Sequence, residues 1–203
     1  MKTVYLIRHG SLPEHCTKGL VGSSDVPLSE LGVAESKAMG RYLEKIQFDR
    51  IFSSPLQRAV STCQNALPGR DFVRDERLRE INFGDWEKLT YEEVQKLDPV
   101  NCKKWMTYPE KFGFPNGENM DNLTVRVKSF KELLWRTPGD TLAVFSHGGV
   151  LRRLLVDLLD LRPDLAFHFN MRRGSVSIVH LHDDNSVTLE KLNYYVIADG
   201  ALQ

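Results

Sequence analysis

Short apolar runs rich in Val, Ile and Phe alternate along the chain with longer segments in which apolar residues recur at helical spacing. That alternation predicts an α/β three-layer sandwich, a mostly parallel central sheet with helices on both faces. Residues 4–7, 50–52 and 142–145 read as the central strands. Ser29 opens a stripe at Leu31, Ala34, Ala38, Tyr42 and Ile46, the pattern of a capped amphipathic helix. Ser54-Pro55 predicts a second helix start, with Ser54 as the cap, Pro55 in the first helical position, and Leu56, Ala59, Val60, Cys63 and Leu67 following. Thr90-Tyr91-Glu92-Glu93 fits a capping box, Leu123, Val127, Phe130 and Leu134 mark a further helix, and 149–159 is a strongly apolar one. Residues 98–120, rich in Pro, Gly and aromatics, read as an irregular insertion. Residues 175–182 and 187–192 predict a hairpin around Asp183-Asp184-Asn185. With no repeat or linker to divide it, the chain is expected to form one domain over 1–203.

Charge narrows the function. Lys plus Arg and Asp plus Glu each number 27, so no overall field draws in nucleic acid or an anionic membrane, and affinity for anions must be local. The N-terminus enters a strand-like segment directly, and no apolar run is long enough to span a bilayer, so the expected compartment is the cytoplasm. Cys16, Cys63 and Cys102 are odd in number and lack zinc-site spacing; they read as reduced thiols.

Ligands of open α/β sheets bind beyond the carboxyl ends of the strands. Here those positions are polar: Arg8-His9-Gly10, then Ser53-Ser54 with Arg58 a turn later, then Ser146-His147-Gly148-Gly149. Arg58 falls in a first helical turn, where the macrodipole disfavours a cation by roughly 0.3–1 kcal/mol unless an anion faces it. Taken alone it also fits a solvated surface Arg, and a lone His after a strand fits a hydrogen-bonded structural residue. Together the groups point to phosphate. Arg8 can grip it with a planar fork, Gly10 admits close backbone approach, and neighbouring guanidiniums keep His9 neutral and nucleophilic.

Leu6-Ile7-Arg8-His9-Gly10 resembles the RHG signature of the histidine phosphatase superfamily, which includes the phosphoglycerate mutases. The likeness continues through Asp25-Val26-Pro27-Leu28-Ser29-Glu30-Leu31-Gly32, Ser53-Ser54-Pro55-Leu56-Gln57-Arg58-Ala59, Leu78-Arg79-Glu80, Gly117-Glu118-Asn119 and Ser146-His147-Gly148-Gly149. The resemblance implies a phosphoglycerate mutase-like fold. It also implies that His9 is the phosphorylated nucleophile, that Arg8, Arg58 and His147 form the phosphate pocket, and that Glu80 is the proton donor, with Glu118 as the next candidate. Gly148, His15 and Ser23 complete the expected substrate-binding set. His15 stands where many members have Asn, and it reads either as a phosphate or leaving-group contact or as part of a surface loop.

The reaction so implied is hydrolysis of a small-molecule phosphate monoester, with no metal or cofactor, and with a second copy in a homodimer as the one protein partner kept open. The chain is shorter than the mutases it resembles, which favours hydrolysis over phosphoryl return. Within the superfamily, Asn82-Phe83-Gly84-Asp85-Trp86-Glu87, Asn116-Gly117-Glu118 and Phe167-His168-Phe169 look most like α-ribazole-5′-phosphate phosphatases, which act late in cobalamin nucleotide-loop assembly. Broad-specificity phosphatases share much of this pattern. A catalytically silent phosphate-binding module is the alternative of another class, and a cysteine hydrolase built on Cys16 and His147 is a third. Trp86, Trp105 and Tyr108 fit either a stacking wall for the leaving group or core packing. His180 and His182 share a strand face, as metal ligands would, but read as a polar strand end entering a turn.

Overall fold

The computed structural model describes residues 1–195. Among them, strands β1 (Lys2–Arg8), β2 (Arg50–Ser53), β3 (Val73–Arg74), β4 (Thr141–Ser146), β5 (Val176–Leu181) and β6 (Val187–Tyr194) join one sheet in the order β3-β2-β4-β1-β5-β6. The helices are α1 (Glu14–Thr17), α2 (Glu30–Leu43), α3 (Gln57–Ala66), α4 (Tyr91–Leu97), α5 (Pro99–Thr107), α6 (Met120–Arg136) and α7 (Gly148–Leu158). β1 and β2 both run parallel to β4, and β3 runs parallel to β2. β5 is antiparallel to β1, and β6 closes the expected hairpin against β5.

The central strands are apolar without interruption because both faces are covered. Val4 and Leu6 of β1 join Leu142 and Val144 of β4 in one core with Val127 and Phe130 of α6 and Leu151 and Leu154 of α7. Ile7, Ala143 and Phe145 point the other way, onto Met39 and Leu43 of α2 and Cys63 and Ala66 of α3. No helix among the described residues is long and apolar enough to cross a membrane.

Two expected caps are present. Ser29 Oγ accepts the Gly32 N–H at 3.0 Å, and Thr90 and Glu93 exchange the two bonds of a capping box. The third is displaced. α3 begins at Gln57, not at Pro55, although the Ser54 hydroxyl accepts the Leu56 N–H at 3.3 Å as a cap would, while also meeting the His147 ring at 2.7 Å. Asp25, distant in sequence, supplies the cap by accepting the Gln57 N–H at 2.7 Å.

The segment expected to be irregular holds α5. Asp98 caps it through the Asn101 N–H at 3.2 Å and Pro99 occupies its first turn, a start signal hidden by the surrounding aromatics. Those aromatics pack on one another: Trp86 stacks on Phe112 with centroids 5.3 Å apart and meets the edges of Trp105 and Phe114. Trp86 and Trp105 therefore serve packing, while Tyr108 is exposed. On the hairpin, His180 bonds Thr3 and Glu190, and His182 bonds Thr188 across the strands.

Phe130 is fully buried, with its ring edge-on to Phe52 at 5.5 Å, at the junction of α6 and the sheet. Phe130→Ala is expected to destabilise the fold by about 3–5 kcal/mol. The exposed Leu97→Ala should stay within about 0.5 kcal/mol of the parent, both measured by urea unfolding.

Candidate active site

The strand register decides which side chains meet. Arg8 pairs with Ser146, and Ser53 pairs with Phe145, so β1, β4 and β2 end on one edge and deliver His9, His147 and Ser54 together. The His9 backbone is fixed on both sides, its N–H donating to Ser146 O and its carbonyl accepting from the Gly174 N–H.

The ring geometry fixes proton positions. His9 Nδ1 lies 2.8 Å from the Gly10 carbonyl, which can only accept, so Nδ1 carries the proton and Nε2 keeps its lone pair. Burial, then the charges of Arg58 and Arg8, hold His9 well below its ordinary pKa of 6.5, so the ring is neutral. His147 lies with its ring centroid 5.2 Å from that of His9 and is lowered in the same way, first by burial and then by Arg58. Its Nδ1 accepts from Arg58 Nε at 3.1 Å, leaving Nε2–H to donate to Ser54 Oγ.

Arg58 is fully buried behind His147. Its Nη2 and Nη1 donate to the Gly22 and Ser24 carbonyls at 2.6 and 2.8 Å. The opposite edge of that loop is held by Glu87, whose carboxylate accepts the N–H groups of Gly22, Ser23, Ser24 and Phe83 and the Ser23 hydroxyl. Burial raises the Glu87 pKa, but the Ser24 side chain and the backbone donors outweigh it and hold the carboxyl low. Glu87 thus fixes the 22–24 loop, the loop fixes Arg58, and Arg58 fixes the His147 tautomer.

A cavity of about 320 Å³ opens above His9, lined by Arg8, His9, Glu80, Gly148, Gly149, Arg152 and Arg173, among others. Arg8 donates through Nη1 to the Met171 carbonyl, yet its buried Nε has no partner, the one such side-chain atom among the described residues. Burial lowers the Arg8 pKa to about 10, against the opposing pull of Glu80. A buried, unmatched guanidinium N–H beside a neutral imidazole is the electrostatic complement of an anion.

Two glycines allow this approach. A Cβ on Gly148 would fall 3.0 Å from Arg8 Cζ, and one on Gly149 would fall 2.6 Å from Glu80 Oε1. Glu80 accepts the Gly149 N–H through Oε2 at 3.1 Å and its own neighbour's N–H, from Ile81, through Oε1 at 3.2 Å.

Of the residues singled out from sequence, Arg8, His9, Glu80 and Gly148 line the cavity, while His147, beside His9, and Arg58, bonded to His147, are fully buried and outside the lining. His15, on the short α1, is exposed and lies outside the lining, and the Ser23 hydroxyl is taken by Asn82 and Glu87. Glu118 is held bidentately by Arg126 at 2.6 and 2.9 Å and is not among the residues that line the cavity. Arg152 and Arg173 were not marked, and Phe83 and Glu87 entered only as part of the 82–87 segment, without a role. Arg172-Arg173 directly ahead of a strand was the one local signal available.

Comparison with known proteins agrees with this geometry. Residues 4–194 match the family model of the histidine phosphatase superfamily, branch 1. The adenosylcobalamin/alpha-ribazole phosphatase of Salmonella typhimurium is 30% identical, over 94% of this chain and 95% of its own. Phosphoserine phosphatase 1 of Hydrogenobacter thermophilus is 29% identical, with the whole of both chains aligned. The crystal structure of the alpha-ribazole phosphatase from Shigella flexneri superposes with a TM-score of 0.85 at 28% identity, covering 94% of this chain and 96% of that one. A neutral histidine at the end of β1, an unmatched arginine beside it and a family match over residues 4–194 converge: the chain belongs to the histidine phosphatase superfamily, and the relatives named above are phosphatases.

Proposed function

We propose that this chain hydrolyses small phosphate monoesters through a phosphohistidine formed on His9. The observation that carries the reading is the free Nε2 of a buried, neutral His9 beside the unpartnered Nε of Arg8. The phosphoryl group docks with an oxygen on Arg8 Nε, and His9 Nε2 attacks phosphorus. The N–P bond forms as the ester P–O bond breaks, and Glu80 transfers its proton to the departing oxygen. In the second half, Glu80 as carboxylate takes a proton from water, the water oxygen attacks phosphorus, and the N–P bond breaks to release inorganic phosphate. Arg58 and His147 act from beneath, supplying fixed positive charge and a fixed ring without needing to reorganise. The relatives named for alpha-ribazole and for phosphoserine are about equally similar, so both esters belong in a first substrate screen. Three free cysteines fit action in the cytoplasm.

His9→Ala should abolish turnover while the far-UV spectrum is retained. Wild type quenched in alkali during turnover should carry one phosphoryl group on His9 and the variant none; full activity in the variant would remove His9 from the chemistry. Glu80→Gln should slow alkyl phosphates roughly 10²–10⁴-fold and nitrophenyl phosphate much less, since a good leaving group needs no proton. Gly149→Ala, which drives a methyl group onto Glu80 Oε1, should reproduce that selectivity with a loss of roughly 10²-fold on alkyl esters, read by steady-state kinetics. An NMR titration should find the His9 ring still neutral at pH 6.5, and Arg8→Gln should move its midpoint upward, because one of the charges opposing protonation is gone.

A further inference from the structure

The cavity holds more positive charge than phosphoryl transfer uses. Arg8, Arg152 and Arg173 all line it, whereas Glu80 is the carboxylate among its lining residues. Glu80 must be protonated to act as the acid, and His9 is neutral. A phosphate monoester dianion then answers two of the three guanidiniums. The third guanidinium of the lining is left facing the leaving group, with Glu35, outside the lining, as the acidic group near it.

Arg152 and Arg173 are placed to hold that charge outward. Arg152, one turn into α7, is anchored by Nε to the Gly148 carbonyl at 3.1 Å, with its guanidinium carbon 6.0 Å from the centre of the Phe167 ring. Arg173 lies two residues beyond Met171, whose carbonyl takes Arg8, and its guanidinium makes no hydrogen bond or ion pair among the described residues. Glu35 is the acidic group whose charge it feels, but the two form no ion pair: the Glu35 oxygens accept from the Ser11 N–H and hydroxyl, and Glu35 is not a lining residue. A half-buried arginine in the cavity lining, whose fork has no hydrogen-bond partner among the described residues, matches the planar geometry of a carboxylate.

Resting on the phosphatase reading, we infer that the enzyme selects phosphate monoesters whose leaving group carries a carboxylate close to the ester oxygen, bound by Arg173 with Arg152 beside it. This separates the two kinds of leaving group that overall similarity leaves level. A carboxylate engages both arginines; an uncharged ribosyl or aromatic group would rest on Leu20, Val21 and Phe83 and leave the arginine charge unanswered.

The test is a matched pair, O-phosphoserine and O-phosphoethanolamine, which share the phosphoryl group, the ester carbon and the ammonium and differ in the carboxylate. Wild type should favour phosphoserine in kcat/KM by roughly 10–100-fold, the range of a charge-assisted pair. Arg173→Gln should collapse that ratio toward unity and Arg173→Lys should keep part of it, whatever the change in absolute rates. A wild-type ratio near one overturns the inference without any variant. So does a higher kcat/KM for α-ribazole 5′-phosphate than for phosphoserine, or an equal loss on both members of the pair in Arg173→Gln, which would put Arg173 on the phosphoryl group instead. Failure to hydrolyse any of these esters or nitrophenyl phosphate would instead reject the phosphatase reading itself.

Discussion

The site depends on keeping one imidazole neutral and correctly protonated inside a cluster of buried cations. Burial alone disfavours the imidazolium, and Arg58 and Arg8 add to it, so His9 presents a lone pair where solvent would protonate a weaker site. The cost falls on the arginines. Arg8 loses part of its basicity to burial and is left with an unmatched N–H, and Arg58 is likewise lowered. A bound phosphoryl group relieves that imbalance, so the unfavourable electrostatics of the free enzyme become attraction for substrate.

Holding those cations still is the work of residues that never reach the cavity. Glu87 gathers three successive backbone N–H groups of the 22–24 loop, and this turns the Gly22 and Ser24 carbonyls toward Arg58. Arg58 spends its Nε on His147, whose other nitrogen reaches Ser54. The same hydroxyl also accepts the Leu56 N–H at 3.3 Å, and the next N–H of α3, that of Gln57, is taken by Asp25. One hydroxyl thus serves both the helix start and the site.

The sheet supplies the positional accuracy. β1 and β4 are neighbours in parallel register, so His9 and His147 arrive side by side although 138 residues apart in sequence by their numbering. The antiparallel β5 enters on the other flank of β1, and the turn before it carries Met171 and Arg173 to the same edge.

Local chemistry determined much of this protein in advance. The apolar runs of 4–7 and 142–145, the Ser29 and Thr90 caps, and the polar residues after each parallel strand follow from periodicity and side-chain type, which need only near neighbours. That reasoning placed Arg8, His9 and Glu80 at the cavity with help from family resemblance. Tertiary structure decided the rest. Looking beyond the carboxyl ends of strands finds a site only on parallel strands; β5 runs the other way, so it is its leading residues, Arg173 among them, that reach the edge. Arg58 faces His147 and two carbonyls, a choice made by the distant Glu87. Ser54 meets an imidazole 93 positions away as well as the N–H at its own helix start. Each outcome depends on which groups compete for one donor or acceptor in space, and that competition is defined only when the strands have paired.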